Sequence, residues 1–134
     1  MEIKTIPYQY TWPIRHQVMW PNQTIDYVKL PNDEQGIHYG LFVQNHLVSI
    51  ISVFVINQEA QFRKFATLIE EQGKGYGTHL LTYLFTELTH KKVDKIWCNA
   101  RLEKAGYYEK FGMIKTEQTF SKGGIPYVIM EKKL

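Results

Sequence analysis

Glycines are the first residues in this chain whose spacing suggests chemistry. The run Glu70-Glu71-Gln72-Gly73-Lys74-Gly75-Tyr76-Gly77 places three of them at alternate positions, directly before a long apolar periodicity. At a strand-to-helix turn such spacing lets backbone N–H groups converge on one point. The first-turn amides and the helix dipole together make that point a site for anions. Glycine suits it because a Cβ would hold phosphate oxygens away from the amides, and Lys74 adds a side-chain charge. The nucleotide P-loop does not match, since it needs Lys-Ser or Lys-Thr after its last glycine. The dinucleotide fingerprint fails as well, because it calls for glycine where Thr78 stands. The plain alternative is a loop that only turns the chain.

Elements on both sides must hold this turn. Glu2 to Tyr8 reads as a first strand, and Ile14, Val18 and Met19 give an amphipathic helix bounded by Pro13 and Pro21. Residues 21–35 are polar and read as loop with room for a helical turn. Ile37 to Val43 and Leu47 to Ile56 form a hairpin about Gln44-Asn45-His46. Glu59 to Leu68 is a third extended run whose alternation falters at Arg63-Lys64, as a bulge or a change of face would make it. Leu80, Leu81, Leu84, Phe85 and Leu88 form a helix stripe that ends at His90-Lys91-Lys92. A short strand from Lys95 to Asn99 follows, then a helix from Glu103 to Phe111 closed by Gly112. Strands Met113 to Phe120 and Ile125 to Lys132 flank a turn at Ser121-Lys122-Gly123-Gly124. The expected fold class is mixed α/β, with the glycine turn between a strand and the longest helix.

Gln72-x-x-Gly75-x-Gly77 resembles the Gln/Arg-x-x-Gly-x-Gly/Ala signature of the GNAT superfamily of acyl-CoA-dependent N-acyltransferases. A second segment, Asn99 to Met113 with Tyr107-Tyr108-Glu109-Lys110-Phe111-Gly112 at its centre, is similar to the same superfamily's later helix. The two lie in the expected order, one helix and one strand apart. The resemblance is strong from Gln61 onward and weak before it. The closing hairpin Gly124-Ile125-Pro126-Tyr127-Val128-Ile129-Met130 also resembles the small ElaA-like branch, which tends to carry His where Tyr127 stands.

The resemblance implies a fold with a central, mostly antiparallel sheet of six to seven strands flanked by helices, in one domain over residues 1–134. It implies an N-acetyltransferase that moves an acetyl group from acetyl-CoA to a primary amine by direct attack, the acceptor being a small molecule or a peptide. Phe65, Ala66 and Thr67 would lie along the pantetheine arm, and Gln72, Gly73, Lys74, Gly75, Tyr76 and Gly77 would hold the pyrophosphate. Tyr108 falls on the tyrosine that protonates the leaving thiolate, a role suited to a phenol that stays protonated at neutral pH. The other reading of Tyr108 is an ordinary helix tyrosine. Many relatives carry asparagine seven positions before the catalytic tyrosine, and here Arg101 stands there. Arg101 reaches a phosphate or is a solvated residue, and both readings stay open. Glu70, Glu71, His38, Glu59 and water are all candidates for the base. Arg15, His16, Trp20 and the 21–35 segment match the region that shapes the acceptor pocket. A different class, an acyl-CoA sensor or interaction module without turnover, shares the same motifs.

Composition narrows the remaining classes. The chain has 134 residues, one domain's worth, and its 16 basic against 13 acidic residues give a net charge of +3. No basic stripe speaks for nucleic acid. The apolar stretch Leu47 to Ile56 is about half a membrane span, so no membrane association is expected. The single Cys98 excludes an intrachain disulfide and fits a reducing, cytoplasmic setting; it reads as a small core residue or a reactive thiol. His16, His46, His79 and His90 lack metal-ligand spacing, so no metal is expected. No signal peptide is read at the start. The short N-terminal half, or a neighbouring subunit of a homodimer, must then choose the acceptor.

Overall fold

A computed structural model describes all 134 residues. Strand β1 (Glu2–Thr5) leads into helix α1 (Trp12–Ile14), which continues as a wide π-type turn over Arg15–Met19. The helix therefore starts with Pro13 in its first turn, where a missing N–H costs nothing. The 21–35 segment carries two 3-10 turns, Ile25–Val28 and Asp33–Gln35. Strands β2 (Ile37–Val43), β3 (His46–Ile56) and β4 (Glu59–Thr67) follow. The turns between them place Gln44-Asn45 and Asn57-Gln58 at φ between 51° and 66°. Such values at both central residues match the twist of a tight hairpin. Helix α2 (Tyr76–His90), strand β5 (Lys95–Arg101), helix α3 (Ala105–Glu109) and the hairpin of β6 (Ile114–Lys122) and β7 (Ile125–Lys133) complete the chain.

The seven strands run in the order β1-β2-β3-β4-β5-β7-β6. The β1/β2, β2/β3, β5/β7 and β6/β7 ladders are antiparallel, and β4 pairs with β5 in parallel. The mixed α/β class and the mostly antiparallel sheet expected from the sequence are both present, at the upper end of the expected strand count. Contacts gather into two units, Met1–Phe54 with Lys64–Leu84 and Val55–Arg63 with Phe85–Leu134.

In the first unit Ile6, Ile14, Ile50 and Ala66 form a core cluster, with Val18, Met19, Phe42, Leu47 and Leu68 packed against it. The helix stripe seen in the sequence is its buried face, since Leu80, Leu81 and Leu84 are wholly enclosed. In the second unit Ile96, Cys98, Ala100, Met113, Val128 and Met130 are buried. The β4/β5 ladder there covers only Glu59–Gln61 against Lys95–Trp97, whereas β5 is paired to β7 along its full length.

The break in the β4 alternation is real. Lys64 takes φ +55°, a value that L residues with long side chains seldom adopt in a strand. Before it, Phe62 packs its ring 5.7 Å from that of Tyr108. After it, Phe65 and Thr67 lie beneath Gly77 of α2.

Candidate active site

The glycine turn lies wholly in the first unit. Between β4 and α2 the chain makes one 3-10 turn, Ile69–Glu71, and then enters the loop Gln72–Gly75. Gly73 and Gly75 adopt φ of +80° and +85°, left-handed values that favour glycine. A Cβ on either would meet no atom within 4 Å, so the backbone conformation and not crowding calls for glycine there. Gly77 obeys the opposite rule: its Cβ would lie 3.2 Å from Phe65 Cζ and 3.4 Å from Thr67 Oγ1. Glycine at that position is what lets α2 rest against the end of β4.

Side chains fasten the loop. Gln72 Nε2 donates to Thr67 O at 3.0 Å, tying the start of the loop to the strand. Lys74 Nζ donates to Glu71 Oε2 at 3.0 Å, and that bond holds its ammonium above the ordinary value of 10.5. The His79 amide of α2 donates back to Gly75 O, outside the helix, at 3.0 Å. Tyr76 and Gly77 sit in the turn ahead of it, where intrahelical bonding supplies no acceptors and the dipole is positive. Phe65, Ala66 and Thr67 form the last residues of β4. Ala66 turns its methyl into the core, so its backbone is what the site can use, and Ser49 Oγ reaches Ala66 O at 3.2 Å and Thr67 Oγ1 at 2.8 Å.

Tyr108 belongs to the second unit. It sits half-buried on α3, with the rings of Phe62 and Tyr107 at 5.7 and 5.4 Å. Burial, with the Cys98 thiol and Tyr107 hydroxyl adding to it, pushes its phenol well above the ordinary 10.0. No protein group hydrogen-bonds the Tyr108 hydroxyl. Cys98 is itself 3% exposed, and burial pushes its thiol up to about 12. That resolves the two readings of Cys98 in favour of a small core residue, because the thiolate is the reactive form. Arg101 is exposed at the end of β5 and lines a hollow of about 200 Å³ with Glu103, Gly124, Ile125 and Pro126.

The region read as acceptor-shaping divides in two. Arg15 does not line a pocket: it is wholly buried, with NH1 donating to Val28 O at 3.0 Å and to Asp33 Oδ2 at 2.9 Å. Its NH2 donates to Asp33 Oδ1 at 2.9 Å and to Ser52 Oγ at 3.0 Å. Ser52 in turn meets His38 Nδ1 at 2.7 Å, and His38 Nε2 donates to Asp33 O at 2.8 Å. This network joins residues 18, 37 and 14 positions apart, which no local pattern reveals. It also removes His38 from the candidate bases. Glu59 is paired with Lys95 at 3.6 Å and Glu71 with Lys74. His16, by contrast, lines a cavity of about 370 Å³ with Gln17, Val18, Pro21, Ile69 and Glu70. The wide turn at Arg15–Met19 separates the neighbours, Arg15 inward and His16 outward. No group of three or more His, Cys, Asp or Glu is arranged to hold a metal, and no helix is long and apolar enough to cross a membrane.

Known proteins share both the sequence and the architecture. The family model for the GNAT acetyltransferase domain matches residues 19–134. The uncharacterized N-acetyltransferase YitI of Bacillus subtilis (strain 168) is 33% identical over 144 aligned residues, covering 100% of this chain and 97% of that protein. An N-acetyltransferase candidate from Lactobacillus plantarum superposes with a TM-score of 0.87 at 21% identity, over 100% of this chain and 99% of that one. ElaA of Escherichia coli, whose branch the closing hairpin resembles, shares the fold at a TM-score of 0.80 and 16% identity, over 98% and 99% of the two chains. An aminoglycoside 6′-N-acetyltransferase complexed with coenzyme A does so at 0.80 and 14%, over 99% and 97%. With a domain match that begins at Met19 and a relative at one-third identity from end to end, the chain belongs to the GNAT superfamily of acyl-CoA-dependent N-acetyltransferases.

Proposed function

We propose that residues 1–134 form a single catalytic domain that transfers the acetyl group of acetyl-CoA to a primary amine by direct attack. The observation that carries this reading is the turn between β4 and α2. Two left-handed glycines, a glutamine anchoring the loop to Thr67 O at 3.0 Å and the first turn of a 15-residue helix make a cradle for a diphosphate. Gln72, Gly73, Lys74, Gly75, Tyr76 and Gly77 hold the coenzyme pyrophosphate, and the backbone of Phe65, Ala66 and Thr67 pairs with its pantetheine arm. Lys74, already paired with Glu71, contributes charge to the rim more than a direct grip.

The chemistry asks for a neutral amine, a polarised thioester carbonyl and a proton for the departing sulfur. An N–H at the end of β4 polarises the carbonyl. The amine nitrogen bonds to the carbonyl carbon, the carbon–sulfur bond breaks, Tyr108 gives its phenolic proton to sulfur, and the proton that nitrogen then loses returns through water to the Tyr108 phenolate. Burial supports that role, because a phenol held above 10.0 is fully protonated at neutral pH and has no hydrogen-bond partner in the protein to give up. The test is calorimetry of acetyl-CoA against ATP and NAD, followed by release of free CoA over a panel of amines. Acetyl-CoA is expected to bind far more tightly than either nucleotide and to release CoA with some amines. Preference for ATP or NAD would overturn the family's chemistry here, and tight acetyl-CoA binding with no amine-dependent release would make the protein a sensor.

A further inference from the structure

The cavity of about 370 Å³ in the first unit is within the size range of small-molecule sites, about 300–1,000 Å³. Two of its lining residues are titratable, His16 and Glu70; the others are Gln17, Val18, Pro21 and Ile69. The charged side chain next to His16 in sequence, Arg15, is turned away into its bonds with Asp33. Glu70 makes no ion pair or hydrogen bond, whereas its neighbour Glu71 is held by Lys74. It lies three residues after Thr67, at the end of the strand that carries the proposed pantetheine contacts.

His16 is held in one tautomer. Its Nε2 lies 2.6 Å from Gln23 O. A carbonyl only accepts, so Nε2 carries the hydrogen and Nδ1 keeps the lone pair when the ring is neutral. An imidazole oriented by a backbone carbonyl through one nitrogen and basic at the other is the arrangement a general base needs. A carboxylate beside the reacting nitrogen would instead stabilise its protonated form. Glu70 is therefore suited to a second positive charge on the acceptor.

Resting on the acetyl-transfer reading above, we propose that His16 is the general base for the acceptor amine and that Glu70, in the same cavity, selects acceptors carrying a second cationic group. The acceptor's ammonium gives one proton to His16 Nδ1. The neutral nitrogen bonds to the acetyl carbon as the carbon–sulfur bond breaks. His16 returns its proton to water, and the second proton lost from nitrogen passes through water to the Tyr108 phenolate left when sulfur takes the phenolic proton.

Two probe amines test this, n-butylamine and 1,4-diaminobutane, each with acetyl-CoA and CoA release followed across pH. His16→Gln keeps a side-chain N–H for Gln23 and removes the basic nitrogen. It is expected to lower kcat/KM for both amines about 100-fold and to change the pH profile, the variant recovering only as pH rises and the amines deprotonate themselves. Glu70→Gln, a surface change that leaves folding intact, is expected to raise KM for 1,4-diaminobutane about tenfold, equivalent to about 1.4 kcal/mol, with KM for n-butylamine unchanged. Circular dichroism and acetyl-CoA calorimetry verify that both variants are folded and loaded. An unchanged pH profile in His16→Gln, or equal KM shifts for both amines in Glu70→Gln, overturns the proposal. A wild-type protein that binds acetyl-CoA but acetylates neither probe also overturns it and leaves the coenzyme assignment standing, whereas failure to bind acetyl-CoA sinks the proposed function itself.

Discussion

Replacing Tyr108 with phenylalanine separates catalysis from stability, because the structure assigns different consequences to the ring and to the hydroxyl. The ring makes edge and tilted contacts with Tyr107 and Phe62 at 5.4 and 5.7 Å, and phenylalanine keeps both. The hydroxyl bonds to no protein group, so its removal leaves no partner unsatisfied, and the change in unfolding free energy is expected within about 0.5 kcal/mol. The catalytic loss is of another size. A positioned proton donor contributes about 10²–10⁴-fold, so kcat should fall by about 3–5 kcal/mol of barrier. Acetyl-CoA affinity should hold, since the phenol acts only on the departing sulfur. The pH dependence has a fixed sign: the folded phenol lies above 10.0, so its protonated form persists past the pH at which an ordinary tyrosine ionises. Wild-type kcat should therefore show no loss from this group up to pH 10. The assay is stopped-flow release of CoA thiol at saturating amine, paired with thermal unfolding and acetyl-CoA calorimetry. Equal kcat in wild type and Tyr108→Phe would refute the acid role, and a large drop in melting temperature would refute the reasoning about the hydroxyl.

Gly75→Val forces a β-branched residue to φ +85°, and acetyl-CoA Kd should rise at least about tenfold by calorimetry while the fold persists; unchanged affinity would mean the turn does not hold the diphosphate. Asp33→Asn leaves the Arg15 guanidinium buried without its carboxylate, at a cost of about 3–5 kcal/mol in urea unfolding. Burial alone would raise Asp33, but hydrogen bonds from Arg15, Leu30 and Trp12 outweigh it and hold the carboxyl below its ordinary 3.8. Arg15→Met with Asp33→Leu should recover part of that loss, and a double variant no better than Asp33→Asn would contradict the account. Burial also depresses His38 below 6.5, so the unfolded chain takes up its proton first as pH falls. Its contribution to stability is thus complete above pH 6.5 and is lost below it, a slope that chemical denaturation from pH 7 to 5 should detect and His38→Gln should remove.

The second half of the chain was largely legible because its signals are local. The α2 stripe, the alternate glycines and the closing hairpin each depend on residues within a few positions; the stripe appears where expected, and the hairpin closes more tightly than expected, at Gly123-Gly124, because Ser121 and Lys122 pair with Pro126 and Ile125. The faltering of β4 at Arg63-Lys64 was visible as a lost alternation, and the φ of Lys64 gives it a cause. Helix α3 proved shorter than the run from Glu103, since Leu102–Lys104 forms a 3-10 turn first. The first half resisted reading for the opposite reason. The resemblance puts Arg15 in the region that shapes the acceptor pocket, and only Asp33 and Ser52, remote in sequence, reveal it as buried. The helix period also predicted one regular helix where the backbone widens into a π-type turn. His16 falls in the segment that the resemblance links to the acceptor, but its orientation depends on Gln23 O, a backbone atom no side-chain pattern reports.

The neighbours Arg15 and His16 divide labour in a way that bears on how such a protein can diversify. One is clamped by four hydrogen bonds inside the fold; the next faces an open cavity on the same wide turn. The cavity wall is in effect part fixture and part replaceable panel: His16 is the proposed base and Val18 packs against the core, whereas Gln17 and Glu70 are exposed. New side chains at 17 or 70 alter what the wall meets without disturbing the fixture, whereas a change at Arg15 or Asp33 shakes the mount itself. Directed evolution of acceptor range should therefore accumulate substitutions at 17 and 70, and spare His16 and the buried pair.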